Sequence, residues 1–100
     1  MTRMELQSAL KTILGSNQVY FQAPENKKMS YPAIVYELND IQDVYANNST
    51  YLRHKSYSVT LMDKNPDSEF VEAIADLPKC KFNRFFVSEN INHWVFTVFI

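Results

Sequence analysis

The residue types that could do chemistry in this sequence are one cysteine, two histidines and a short run of carboxylates. Cys80 lies between Lys79 and Lys81, and positive charges beside a thiol can lower its pKa and produce a nucleophilic thiolate. Covalent catalysis also needs a base close to the nucleophile, and no Cys–His pair can be argued from the sequence. We therefore interpret Cys80 as a buried or merely reduced residue.

The histidines and carboxylates do not form a metal-binding pattern. His54 and His93 are far apart in sequence, and neither has a second ligand at the spacing of known metal motifs. The acidic residues between Asp63 and Glu72 lack the alternating ligands and the glycine of a calcium loop. We expect no metal, no cofactor and no enzymatic activity, with a small enzyme that uses Cys80 or His93 as an alternative.

Composition restricts the remaining classes of function. One hundred residues suffice for one domain with a modest core, which we place at residues 1–100. Ten basic and eleven acidic residues give a net charge of -1, which argues against direct binding to nucleic acid. The sequence has neither an apolar segment of membrane-spanning length nor a secretory signal, and its single cysteine suits a reducing compartment. We expect synthesis in the cytosol and no membrane partner.

The first residues predict a helix. Thr2 and Glu5 match a capping box, apolar residues then recur at three- and four-residue spacing, and Gly15 suits the left-handed position that follows a helix end. We therefore predict a helix at Arg3–Leu14. A short β-prone patch at 19–21 follows it and leads into a polar loop.

Two strands are predicted in the middle of the chain. In Tyr31–Leu38 the larger residues Ile34, Tyr36 and Leu38 fall on one side and Ala33, Val35 and Glu37 on the other. Pro32 is near the start, where a strand tolerates the missing amide donor. Tyr51–Met62 alternates apolar residues with serine and threonine, which indicates a strand with one buried face. The polar segment Asn39–Thr50 between them is either the tip of a long hairpin or a mobile loop.

The last third predicts a helix and two strands. Asn65 and Pro66 match the cap and the first position of a helix that ends at Pro78. Strands follow at Lys81–Glu89 and Asn92–Ile100. The resulting order α-β-β-β-α-β-β is too compact for repeated parallel units, so we expect an α+β fold in which two helices cover one face of a mainly antiparallel sheet.

The last predicted strand, Asn92–Ile100, is apolar on both sides from Trp94 onward. Such a strand needs cover on both faces, and so short a chain has little material for the second face. We infer that another subunit covers it, and that Asn39–Thr50 supplies a further contact surface. The candidate interface residues are Val44, Tyr45, Tyr51, Arg53, His93, Trp94, Phe96 and Phe99.

Four stretches carry a family resemblance. They are Tyr31–Leu38 (YPAIVYEL), Tyr57–Ser68 (YSVTLMDKNPDS), Phe82–Phe85 (FNRF) and Asn90–His93 (NINH). Together with the order of elements over residues 1–100, they are similar to the small tail terminator proteins of long-tailed bacteriophages and prophages. These proteins are also called tail-completion, minor capsid or head–tail joining proteins, and the resemblance includes no catalytic signature.

The resemblance implies a structural protein of the virion. Members of this family have an α+β fold and form a ring of six subunits between the head connector and the tail tube. The ring stops growth of the tube and offers a docking face for the head. The expected partners are therefore further copies of this chain in a hexamer, the tail-tube protein and a head-completion or connector protein. The expected location is the neck of the virion after assembly in the host cytoplasm, and the alternative is another neck component, such as a connector or tail-tube subunit.

Overall fold

The computed structural model describes residues 2–22, 30–46 and 49–100, without the side chains of 44–46 and 49–52. The described elements are α1 (Arg3–Leu14), β1 (Val19–Phe21), β2 (Ala33–Ala46), β3 (Ser49–Asp63), α2 (Phe70–Ala75), β4 (Cys80–Ser88) and β5 (Ile91–Phe99). The predicted α+β fold and the predicted order of its elements are confirmed.

The five strands form one sheet in the spatial order β1-β2-β3-β5-β4. β1 runs parallel to β2, and the other described pairs of neighbouring strands are antiparallel. Because β5 lies between β3 and β4, the last strand of the chain is internal and β4 is an edge strand. An edge strand presents one row of backbone N–H and C=O groups without a neighbouring strand.

Helix α1 begins and ends where its local chemistry predicts. Thr2 Oγ1 accepts a hydrogen bond from the Glu5 amide at 3.2 Å and so caps the first turn. Gly15 has a φ of 72°, and its N–H donates to the Lys11 carbonyl at 2.8 Å. The buried side chains of this helix are Leu6, Leu10 and Leu14.

Both helices pack on one face of the sheet, which we call the helix face. The buried core on this face consists of Leu6, Leu10, Leu14, Val19, Ile34, Tyr36, Tyr57, Val59, Leu61, Ile74, Trp94, Phe96 and Val98. On the opposite face, which we call the open face, β3 carries Ser56, Ser58 and Thr60. The predicted one-sided alternation of this strand is therefore confirmed, and burial of its apolar side stabilises the fold.

Helix α2 begins later than the sequence predicts. The cap and first position were expected at Asn65 and Pro66, but the helix begins at Phe70, after Glu69. The Asn65 side chain instead accepts a hydrogen bond from the Asp67 amide at 3.0 Å and closes a local turn. Asparagine stabilises such turns as readily as helix caps, so the same residue suits both structures.

The segment between β2 and β3 belongs to a long hairpin. Residues as far as Ala46 and Ser49 pair across the two strands, so the hairpin alternative for Asn39–Thr50 is the one that the structure shows. Beyond the pair Ile41 and Lys55, no described strand lies beside the hairpin. We call residues 41–46 and 49–55 the arm.

The connection between β4 and β5 is a two-residue turn at Glu89 and Asn90. Their φ values of 52° and 64° are both left-handed, which suits the twist of a tight hairpin. Strand β5 therefore begins at Ile91, one residue earlier than predicted, and Ile91 pairs with Ser88. The Asn92 side chain is buried and donates to the Asp63 carbonyl at 3.1 Å.

Candidate protein–protein interface

Two of the predicted interface residues, Trp94 and Phe96, lie in the core of the protomer. Trp94 is 8% exposed and Phe96 is 0% exposed, because both side chains point to the helix face. Almost no surface of either ring is left for a partner. The prediction that these two residues contact another chain is therefore corrected. The even-numbered apolar residues of β5 are thus covered by their own chain.

The odd-numbered residues of β5 lie on the open face. Phe99 is 40% exposed and is the only large apolar side chain of β5 that is exposed to this extent. His93 is half-buried: its Nδ1 lies 2.9 Å from the Ile91 carbonyl oxygen, and its ring stacks on Phe86 at a centroid distance of 4.5 Å. The second face of β5 therefore has a smaller apolar surface than the sequence suggests.

The other predicted interface residues belong to the arm. Arg53 Nε lies 2.7 Å from Asp43 Oδ1, and this ion pair joins the two strands of the arm. Because the pair lies at the surface, with the Arg53 side chain 56% exposed and the Asp43 side chain 23% exposed, it contributes only about 0 to 1 kcal/mol to stability. Val44, Tyr45 and Tyr51 also lie on the arm, and their side chains are outside the described residues.

A further exposed apolar surface lies on β4, the predicted hairpin partner of the last strand, where no individual interface residue was predicted. Its side chains, which we call the β4 patch, are Phe82, Phe85, Phe86 and Val87, with exposed fractions from 38% to 58%. Phe82 packs against Phe96 with ring centroids 5.7 Å apart, and Phe85 packs against Trp94 at 5.3 Å. Each of these rings therefore has a supported side and an exposed side. Phe82, Phe85 and Val87 lie on the helix face and Phe86 lies on the open face. Clusters of exposed apolar side chains mark protein–protein contacts.

A signal for the β4 patch was present in the sequence. Phe85, Phe86 and Val87 are consecutive, so β4 is apolar on both sides, just as β5 is. What the sequence could not supply was the strand order, in which β5 is inserted between β3 and β4. The strand with most of the exposed apolar side chains is therefore β4 and not β5.

A second exposed edge lies on β2. β1 pairs with β2 only as far as Tyr36, and no described strand continues along the outer edge from Glu37. Leu38 and Ile41 are exposed there, at 46% and 45%. Both lie on the helix face, because Leu38 pairs with the core residue Tyr57 and, after a register shift between Leu38 and Asp40, Ile41 pairs with Lys55 on the same side of β3. We call residues 37–43 the β2 edge.

Comparison with known proteins adds no assignment. The chain matches no model of a protein family, and no curated protein sequence is significantly similar to it. The features that bear on function are therefore the exposed surfaces and the resemblance in sequence.

Burial raises the pKa of the Cys80 thiol, which opposes any lowering by the neighbouring lysines and favours the neutral thiol. In the part of the chain that the structure describes, no three His, Cys, Asp or Glu side chains are grouped so that they could hold a metal ion. Neither described helix has the length and apolar character needed to cross a membrane.

Proposed function

We propose that this protein is a tail terminator of a long-tailed bacteriophage or prophage. In this role it is a non-enzymatic component of the virion neck, and its subunits form a ring of six that caps the tail tube and receives the head connector. The four stretches of sequence resemblance support the proposal. The α+β fold agrees with what that resemblance implies.

The observation that carries the proposal is the β4 patch. Its four large apolar side chains lie on an edge strand, where the described residues leave them 38% to 58% exposed. Burying such side chains contributes about 25 cal/mol per Å² of apolar surface. Contact with other chains therefore stabilises the assembled state relative to the free subunit.

Two separate surfaces also suit a ring. A ring built from head-to-tail contacts needs two different patches on each subunit, whereas a two-fold dimer needs only one. The β4 patch and the β2 edge lie toward opposite ends of the sheet order. An arrangement of this kind favours a repeating contact over a closed pair.

The proposal is tested by assembly and by capping. Light scattering on purified protein across a concentration series should show a discrete species with the mass of six chains. Mixed with the polymerising tail-tube protein of the same phage, the protein should stop tube growth and appear by electron microscopy only at tube ends.

Two results would contradict the proposal. Incorporation along the whole length of the tubes would identify a tail-tube subunit, and absence from tubes together with a position at the head vertex would identify a connector. A Phe85→Asp variant tests the role of the β4 patch. It should remain folded because Phe85 is 47% exposed, yet it should fail to form the ring.

A further inference from the structure

The two exposed edges of the sheet differ in charge in a complementary way. The β2 edge, residues 37–43, has three acidic residues and no basic residue, in the sequence ELNDIQD. β4 has two basic residues and no acidic residue, in the sequence CKFNRFFVS. The net charge of -1 for the whole chain conceals this separation.

Two of the acidic residues of the β2 edge and both basic residues of β4 lie on the open face of the sheet, whereas Asp43 forms an ion pair with Arg53 across the arm. Glu37 and Asp40 are cross-strand partners of open-face residues of β3, and both are exposed. Lys81 and Arg84 are partners of Thr97 and Val95 on β5, which also belong to the open face. The open face is therefore acidic at one end and basic at the other.

The exposed apolar side chains match in the same way on the helix face. Leu38 and Ile41 lie on this face of the β2 edge. Phe82 and Phe85 lie on this face of β4, as partners of Phe96 and Trp94. If two sheets are placed side by side with the same face upward, apolar residues meet apolar residues and acids meet bases.

The strand directions are also compatible. β2, β3, β5 and β4 alternate in direction along the sheet, so β4 is antiparallel to β2 within one subunit. A neighbouring copy in the same orientation therefore presents its β2 edge antiparallel to β4, and antiparallel pairing satisfies the unpaired backbone groups of both edges.

We propose that β4 of one subunit pairs with the β2 edge of the next copy of this chain, so that the sheet continues from subunit to subunit. This pairing deepens the proposed ring and rests on it. Pairing of β4 with β4 of another copy is disfavoured because it brings the basic residues of two identical strands together.

Cross-linking tests the pairing directly. In a Cys80→Ser background, Gln42→Cys and Asn83→Cys place one thiol on each edge and leave the charged residues intact. With a short bismaleimide reagent, the double variant should give a ladder up to the hexamer on a denaturing gel, and each single variant should stay monomeric. A cross-linked dimer of the Asn83→Cys variant alone, or no ladder from the double variant at any protein concentration, would overturn the pairing.

A charge exchange provides the second test. Arg84→Glu and Asp40→Lys should each weaken association at least about tenfold, because like charges then face each other, and the double variant should recover most of the loss. The control exchange, Lys64→Glu with Glu72→Lys, changes exposed residues away from both edges and should leave association unchanged. Equal effects of both exchanges would overturn the pairing.

The outcomes separate this inference from the proposed function. If the unaltered protein forms rings that cap tubes but the two edges do not cross-link, the pairing is wrong and the tail terminator assignment stands. If the edges cross-link but the protein never binds tube ends, the pairing stands and the assignment is wrong.

Discussion

Phe96 and Phe99 show how strongly position on one strand decides the role of a residue. They are three residues apart on β5 and point to opposite faces, so Phe96 is 0% exposed and Phe99 is 40% exposed. Sequence alternation predicted the opposite faces, but not which face the helices cover. That choice depends on how α1 and α2 pack, which is a property of the folded chain.

Substitution of the two residues by alanine should separate core from surface. Phe96→Ala should lower the free energy of unfolding by about 3 to 5 kcal/mol, because it removes a buried ring and leaves a cavity. Phe99→Ala should cost less than about 1 kcal/mol, because its ring is partly solvated. Urea denaturation followed by circular dichroism measures both, and equal losses would contradict the assigned faces.

Tyr36 is buried, and its hydroxyl both donates and accepts a hydrogen bond. Its side chain is 0% exposed, its hydroxyl donates to Gln7 Oε1 at 2.6 Å, and it accepts from Arg3 Nη1 at 3.2 Å. Burial raises the pKa of Tyr36 above 10.0, and the hydrogen bond from Arg3 opposes part of that rise. The neutral phenol is therefore the form that the fold prefers.

This preference predicts a loss of stability in alkali. Well below pH 10.0 the phenol is neutral in both states. As the pH rises through 10.0 toward the higher pKa of the folded state, the unfolded chain ionises first, so stability falls. Tyr36→Phe should cost about 1 kcal/mol at neutral pH, because it removes the hydroxyl hydrogen bonds. Its stability should then decline less steeply than that of the unaltered protein through this pH range. Urea denaturation at a series of pH values measures both curves, and parallel curves would contradict the prediction.

At the scale of elements, the sequence predicted best what depends on local contacts. Both ends of α1 were predicted, because Thr2 and Gly15 make hydrogen bonds within one turn of the helix. The start of α2 was wrong, because Asn65 closes a turn instead of capping a helix. The edge position of β4 could not be predicted, because it follows from the pairing of β3 with β5 across α2 and β4. No residue of the β4 patch was named as an interface residue, for the same reason.

The arm should be separable from the rest of the fold. Ile41 and Lys55 are cross-strand partners, so residues 42–54 can be replaced by Asn-Gly, which forms a two-residue hairpin turn. The described core lies outside the replaced segment, so the melting temperature should change by less than about 5 °C.

Association of the shortened protein should be weaker, since part of the β2 edge and the whole tip of the arm are removed. Thermal denaturation and light scattering on the same sample distinguish the two effects. A shortened chain that fails to fold would show that the arm supports the core, and one that forms rings with unchanged affinity would remove the arm from the assembly surface.

At the scale of the whole molecule, the overall composition conceals the arrangement of the surfaces. A net charge of -1 directs attention away from nucleic acid, but it averages an acidic β2 edge with a basic β4. The sequence predicts that β5 has more apolar surface than the chain can cover. In the structure the surplus lies one strand further out, on β4.

The exposed phenylalanines of β4 also affect the chain before it meets any partner. An unpaired strand with large apolar side chains and no proline is a template for cross-β aggregation. Lys81 and Arg84 interrupt the apolar run and act as gatekeepers that slow this reaction. If another copy captures this strand as proposed, the time that a newly made subunit stays soluble is set by a competition between that ordered pairing and precipitation.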